Sequence, residues 1–595
     1  MNNNPYIFFT RLDGTKVLND KRYLLGSWCL DLKNKNWMQL KDQCLSYHWK
    51  DRNKFKKDFF YLENFKERLL EELVVFLNDF HKTSYPKRYW RIIIGPWLIN
   101  FIAVIFDRWE IIKSISNNFE NFDTHLIFTK QEIPKDFFEF RNQLDDDLWN
   151  HVLFSEILKF QFPDNNFSEL KIINQVEKNI FKKQFGIRRI FIKDILLKFI
   201  SFLEFIAKNF YKFVGHKKRF AFYESGLNKK FFFKIILHLR TLPMTYGLFR
   251  KEQRIPKILI RNQSKIRAFK AKNEYEDFIS SIIFDHMPIA YLEGYKKIEK
   301  ESRRQLPAKI IVTGFSYWYN EFFKIWTAQQ ILENSKLIIL EHGGSFQLSM
   351  NQMNHLEDIA DIKTSWGIEL NQSQKRLAPN KLSIVRKRRP STKDQITMFD
   401  YESVRFSYRA VGAPIGPLVL EEHLLKLEFI ELLPHDIRKF LKIKPKYLGS
   451  WNFEDSYSEI YGQEIISKYN DLNSIIQNSR LLISGYPQTT FSEGMFSGVP
   501  TILLFKEHLW EINEVYSSLI TDLKEKQIIH NNANSAVKHI KNILGNEMDW
   551  WNSEEIIESR QNFNNLCNTI SDNPAKEWSS FFKGIEKDMK ESEKT

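Results

Sequence analysis

The chain has 595 residues, 43% of them hydrophobic and 15% aromatic, with only 18 Pro and 21 Gly, which excludes a mainly disordered or collagen-like protein and implies several domains or two large ones. Lys and Arg number 88 against 73 Asp and Glu, a net charge of +15 that suits nucleic acid, anionic lipid or a phosphate-bearing substrate without choosing among them. Three cysteines, Cys29, Cys44 and Cys567, form no even framework and no Cys-x-x-Cys pair, as expected of a chain in a reducing cytoplasm.

No signal peptide is expected from the polar start, which runs into a strand-like Tyr6–Phe9. Leu62, Phe65, Leu69, Leu73, Phe76 and Phe80 recur at helical steps and predict a core-facing stripe. Pro96, after Gly95, is expected in the first turn of a further helix running through Phe106 and Trp109. Gly95–Phe106 is the longest apolar run at 12 residues, against the ~20 needed to span a bilayer, so no spanning segment is expected. Residues 188–214 are rich in Phe and Lys and precede His216-Lys-Lys-Arg219. They suit a helix on an anionic membrane, or a buried helix with snorkelling lysines.

From about residue 218 strands and helices alternate. Ile310-Ile-Val312, Tyr317–Leu332 and Leu337–Leu340 read as a βαβ unit, and Leu481-Leu-Ile483 to Thr501–Phe505 reads as another. The predicted architecture is α/β, with two Rossmann-like domains facing a cleft and the N-terminal one enlarged by helices. The expected divisions are 1–371, a basic linker 372–393 carrying Arg386-Lys-Arg-Arg389, a second domain 394–575, and a charged tail 576–595 that packs back or frays.

Three patterns carry chemistry. Ser484-Gly-Tyr-Pro-Gln-Thr-Thr-Phe-Ser-Glu493-Gly494 lies where a strand ends and a helix begins, a place where backbone N–H groups favour phosphate. Thr489 and Thr490 would add donors and Glu493 would accept from ribose; alternatively, Thr490-x-x-Glu493 is a capping box. Glu341-His342-Gly343-Gly344 follows a strand, with glycines that admit a close ligand and supply unusual φ angles, or is an ordinary turn. Tyr47-His48-Trp-Lys-Asp51-Arg52, Arg88-Tyr-Trp-Arg91 and Asp107-Arg108-Trp109 mix aromatics, arginine and carboxylate, as sugar sites do and as structural ion pairs do. No phosphate-binding P-loop, dinucleotide fingerprint, metalloprotease helix or nucleophile elbow appears, no metal cluster is evident, and no nucleic-acid-reading module is present.

In order and spacing, these clusters resemble a family of bacterial surface-carbohydrate (O-antigen) biosynthesis transferases. The matching features run from Phe8-Phe-Thr10 and Leu25-Gly-Ser-Trp28 through the three N-terminal clusters and Leu292-Glu-Gly294 to His342-Gly-Gly344, Tyr486–Glu493 and Pro500-Thr501. The family's turn reads Gln-His-Gly-Gly, so Glu341 stands in place of Gln. The resemblance, with a more distant one to GT-B transferases of Kdo and nonulosonic acids, implies a glycosyltransferase moving a CMP-activated keto-sugar to a growing cell-surface glycan. The donor would be a substrate, with no resident cofactor. A nucleotide-sugar epimerase and a non-catalytic membrane scaffold are the alternatives. Under the resemblance Gly343, Gly344, Arg405, Tyr486, Gln488, Thr489, Thr490 and Glu493 would hold the donor. Asp51, Asp107, Glu341 and His342 are the catalytic candidates, while His48, Arg52, Arg88, Arg91 and Arg108 would contact sugar or anion. The expected setting is cytoplasmic and peripheral at the inner membrane, with a glycan or lipid-linked glycan as acceptor and no nucleic acid.

Overall fold

The computed structural model describes residues 4–13, 21–34, 36–165, 167–170, 220–240, 244–246, 269–382, 385, 394–446 and 449–593. The basic, Phe-rich stretch 188–219 and the run 386–389 lie outside these residues.

Strands β1 (Tyr6–Phe8) and β2 (Arg22–Leu24) pair in parallel at the N-terminus. Two long helices follow, α1 (Arg52–His81) and α2 (Lys87–Asn118). The apolar stripe of α1 is buried as its periodicity predicts, except that Phe76 is half-buried and Phe80 exposed. Helix α2 differs from expectation: Pro96 does not start a helix but sits inside one of 32 residues. Asn100 Nδ2 donates to the Pro96 carbonyl at 2.7 Å. Gly95 lets the helix approach His355, because a Cβ there would stand 2.3 Å from the imidazole Cε1. Burial on nearly all sides outweighs the missing N–H bond of proline, at roughly 1.5–3 kcal/mol per buried large apolar side chain. By length and composition α2 is apolar enough to cross a membrane, contrary to the expectation from the 12-residue run. Yet 94% of its most apolar window is buried inside the protein.

Helices α3 (Phe137–Gln143) and α4 (Asp147–Gln161) complete the helical layer. The first sheet then comprises β3 (Phe220–Tyr223), β4 (Met244–Tyr246), β5 (Ile310–Thr313), β6 (Lys336–Ile339), β7 (Ile362–Ser365) and β8 (Gln374–Arg376), all parallel. Its spatial order, β8-β7-β6-β5-β3-β4, reverses direction between β3 and β5. The crossover from β5 to β6 breaks at Asn320 into a short turn of helix, Ser316–Tyr319, and α5 (Glu321–Leu332).

The second sheet is also parallel: β9 (Gln395–Tyr401), β10 (Leu441–Lys446), β11 (Ser479–Ser484), β12 (Thr501–Leu504) and β13 (Ile529–His530). Its order is β10-β9-β11-β12-β13, with the reversal between β9 and β11. Two doubly wound sheets therefore repeat one topology, and in such sheets ligands bind outside the carboxyl ends of the strands at the reversal.

Two divisions expected from the sequence need correction. Segment 372–393 is not simply a linker: β8 is the edge of the first sheet, and Leu377, Ala378 and Leu382 are buried. The second domain does not run to 575, because Glu554–Cys567 already meets the first, with Ile368 N–H donating to the Leu566 carbonyl at 3.0 Å. The last helix, α6 (Pro574–Ser592), packs back on the first sheet. Trp578 Nε1 donates to the Ala378 carbonyl at 2.9 Å, and Phe582 meets Phe220 and Phe222. Its charges face out while Trp578, Phe582 and Ile585 are buried, which holds the helix down.

Candidate functional site

The carboxyl ends of the two sheets face one another. On the first side, Glu224–Gly226 follows β3, Gly314–Ser316 follows β5 and Glu341–Gly344 follows β6. Ser316 Oγ donates to Glu224 Oε2 at 2.7 Å, fastening the first two loops at the reversal. The exposed His342 ring packs edge-on against Phe315, centroids 4.0 Å apart, and its Nε2 lies 3.5 Å from Lys381 Nζ. On the second side, β11 ends in Gly485–Gln488 and opens the nine-residue helix Thr489–Ser497.

The two lips meet at Gly343. A Cβ there would stand 2.3 Å from Thr489 Oγ1, so glycine is required for space; neither Gly343 nor Gly344 has the positive φ expected of it. Gln488 Nε2 reaches the Phe346 carbonyl at 3.4 Å, and Ser492 Oγ reaches the Gly344 carbonyl at 3.4 Å. The capping-box reading of Thr490 and Glu493 fails: the N-cap is Gln488, no side chain caps the helix start, and Thr490 Oγ1 bonds the Tyr486 hydroxyl at 2.5 Å. The first N–H groups of that helix thus point toward the cleft with hydroxyls beside them. Burial pushes the Tyr486 phenol above its ordinary range, and Glu493 adds to the shift, leaving a neutral hydroxyl.

Glu341 does not line the cleft. Its Oε2 accepts from Trp366 N–H at 2.5 Å, behind the turn. Burial pushes this carboxyl up to about 7, against the opposing pull of Lys363 and the Trp366 N–H.

The N-terminal clusters divide differently. Asp107 is 1% exposed and accepts from Tyr47 at 2.6 Å, from His48 at 3.0 Å and from Arg108. Burial alone would raise its carboxyl, but Arg108, His48 and Tyr47 outweigh that and hold it below the usual range. Arg108 also bonds Asn150 at 2.9 Å and the Ser407 carbonyl at 2.8 Å, tying the helices to the loop after β9. Asp107, His48 and Arg108 therefore form a buried interdomain strut rather than open catalytic or sugar-contacting groups. Arg52 bonds Glu511 at 3.0 Å and covers Phe55, a second tie between domains.

The remaining candidates are corrected by the same reasoning. Asp51 is the N-cap of α1, accepting from Asn53 and Lys54 N–H. Arg88 pairs with Asp361 at 3.0 Å, and Arg91 forks onto Glu67 and reaches Asp358. Arg405 is buried, paired with Asp147 at 2.7 Å and bonded to the Trp28 carbonyl at 2.7 Å; it does not meet the nucleotide-side helix. Burial would lower its guanidinium, and Asp147 more than compensates.

Sequence reasoning missed Phe315, Glu224 and Ser316, although their place at strand ends was readable, and Lys381, hidden in the supposed linker. Among the described residues no group of three or more His, Cys, Asp or Glu is arranged to hold a metal ion.

Two facing, doubly wound parallel sheets with glycine-lined carboxyl ends define an α/β fold of the GT-B-like kind. The chain belongs to the LIC12162 family of transferases, whose model matches residues 7–582. No curated protein matches it. Among solved structures, the MurG of Acinetobacter baumannii aligns with 11% identity over 62% of this chain and 100% of its own, at a TM-score of 0.32, too low to carry an argument.

Proposed function

We propose that the protein is a glycosyltransferase that binds a nucleotide sugar between the two lips and passes the sugar to a glycan or lipid-linked glycan acceptor. The observation that carries this reading is the direct apposition of strand-end loops from the two sheets, His342-Gly343 after β6 against Thr489 after β11. The donor phosphate lies at the start of helix Thr489–Ser497, with Thr489 and Thr490 hydroxyls donating and Glu493 toward the ribose. Lys381, 3.5 Å from the His342 ring, brings positive charge from the opposite lip, where the leaving phosphate gains charge as the glycosidic bond breaks. The attacking acceptor hydroxyl gives up its proton as the new bond forms, and His342, exposed on the lip, is the group assigned to take it. The finer proposal, a CMP-activated keto-sugar for a surface glycan, rests on the family resemblance of the sequence motifs. A cytoplasmic position at the inner membrane belongs to the same proposal.

The test is a thermal-shift panel of CMP, UDP, GDP and their sugars. Stabilisation by one nucleotide class, lost in Thr489→Ala, is expected; stabilisation by none overturns the reading.

A further inference from the structure

Beside the lips the structure holds a second cluster that belongs to neither strut nor donor site. Arg141 comes from α3, Tyr317 and Tyr319 from the turn after β5, Tyr401 from the end of β9, and Tyr408 and Arg409 from the loop that follows. The Arg141 guanidinium lies 3.6 Å from the Tyr408 ring centroid and that of Arg409 lies 5.0 Å from it. Tyr401 meets Tyr486 at 5.5 Å between centroids, which joins this cluster to the donor-side loop. On the other side Tyr319 stacks on Phe137 at 5.6 Å.

The charge balance of this cluster is unusual. Arg88, Arg91, Arg108, Arg405 and Arg52 each have a carboxylate partner, in turn Asp361, Glu67, Asp107, Asp147 and Glu511. Among the described residues neither Arg141 nor Arg409 makes an ion pair with a carboxylate, and Arg409 Nε is buried with no hydrogen-bond partner. Asp145 feels the field of Arg141, but its Oδ1 accepts from Arg405 N–H at 3.1 Å. Glu357, whose field reaches Tyr317, is paired with Lys363 at 2.9 Å. The positive potential is large enough that Arg409 and then Arg141 outweigh burial and hold the Tyr408 phenol below its ordinary range. Two half-buried guanidiniums without an ion-pair partner leave a charge that an anion would complete.

We infer that Arg141 and Arg409, set among Tyr317, Tyr319, Tyr401 and Tyr408, form a subsite for a sugar ring bearing a carboxylate or a phosphate. Planar guanidinium forks match either oxyanion in two-pronged fashion, and tyrosine hydroxyls suit the oxygens of a sugar ring. Only its assignment to the acceptor or donor sugar rests on the transferase reading; anion binding itself does not.

The experiment is calorimetric titration of the full chain with glucuronate, glucose 1-phosphate and neutral glucose, in wild type and in Arg141→Met with Arg409→Met. The expected result is a preference for a charged sugar of about tenfold or more, which collapses in the double variant while CMP or UDP binding is kept. Whichever charged sugar binds more tightly identifies carboxylate or phosphate as the natural anion. Arg409→Lys, which keeps the charge, retains part of the preference and guards against misfolding as the cause. Equal binding of charged and neutral sugars by wild type, or an unchanged preference in a folded double variant, overturns the inference. A retained anion preference without any nucleotide response would instead sink the transferase reading and leave the subsite standing.

Discussion

The strut around Asp107 and the lip around His342 use the same vocabulary of carboxylate, histidine, cation, aromatic and hydroxyl, and they do opposite things with it. At Asp107 both carboxylate oxygens are engaged, by Tyr47, His48 and Arg108, and the group is sealed from water. At His342 the ring is exposed, Lys381 lies nearby, and a helix start without a side-chain cap faces it across Gly343. Residue types alone therefore do not separate a site from a brace. Access to water does.

The sharpest way to break that contrast is to cut each region and read stability and transfer separately. Asp107→Ala leaves Arg108 buried without its partner, so urea unfolding should show a loss of about 3–5 kcal/mol. A loss below about 1 kcal/mol would mean the cluster is open to solvent after all. His342→Ala should leave stability within about 0.5 kcal/mol of wild type, since the ring is exposed. Transfer should nevertheless fall about 100-fold or more if the ring carries the acceptor proton. Full activity in a folded His342→Ala variant would return the lip to an ordinary turn.

The apposition of the lips has its own test. Gly343→Ala forces a methyl group against Thr489 Oγ1, and Thr489→Ala removes the hydroxyl it would strike. Each single change should raise the donor KM about tenfold, through a displaced lip in one case and a lost donor in the other. Because both act at one contact, the double variant should be less impaired than the sum of the two. Strict additivity would place the two lips too far apart to share a ligand.

The legible parts of this protein were those with a local signature. Ile310-Ile-Val312 and Leu481-Leu-Ile483 are short apolar runs beside helical patterns, so both central strands and the loops after them could be placed from sequence. Strand β8 could not, because Gln374-Lys-Arg376 has no apolar pattern and exists only as an edge partner of β7. Helix α2 was misjudged at Gly95-Pro96, where tertiary burial overrides a local breaker. His342, Gly343 and Thr489 were readable as strand-end residues. Arg141 and Arg409 were not, since nothing local marks two arginines as lacking acidic partners; that property exists only once distant segments meet. Arg88, Arg91 and Arg405 show the converse, in that their promising neighbours in sequence are not their neighbours in space.

Glu341 sits between the two kinds of region and offers the smallest and most specific test. Its carboxyl is raised from the ordinary 4.5 to about 7, so between those values the folded protein holds a proton that the unfolded chain releases. Stability from this group is therefore greatest at low pH and falls as pH rises through 7. Glu341→Gln keeps an oxygen to accept the Trp366 N–H and removes the titration. The variant should match wild type near pH 4.5 and exceed it by about 1 kcal/mol at pH 8, a modest value because the side chain is only half-buried. Thermal unfolding of both proteins across that range reads the difference directly. If the variant is instead less stable at pH 8, the Trp366 N–H and Lys363 favour the carboxylate more than burial opposes it. Glu341 would then belong with Asp107, as a charged brace behind the turn that presents His342.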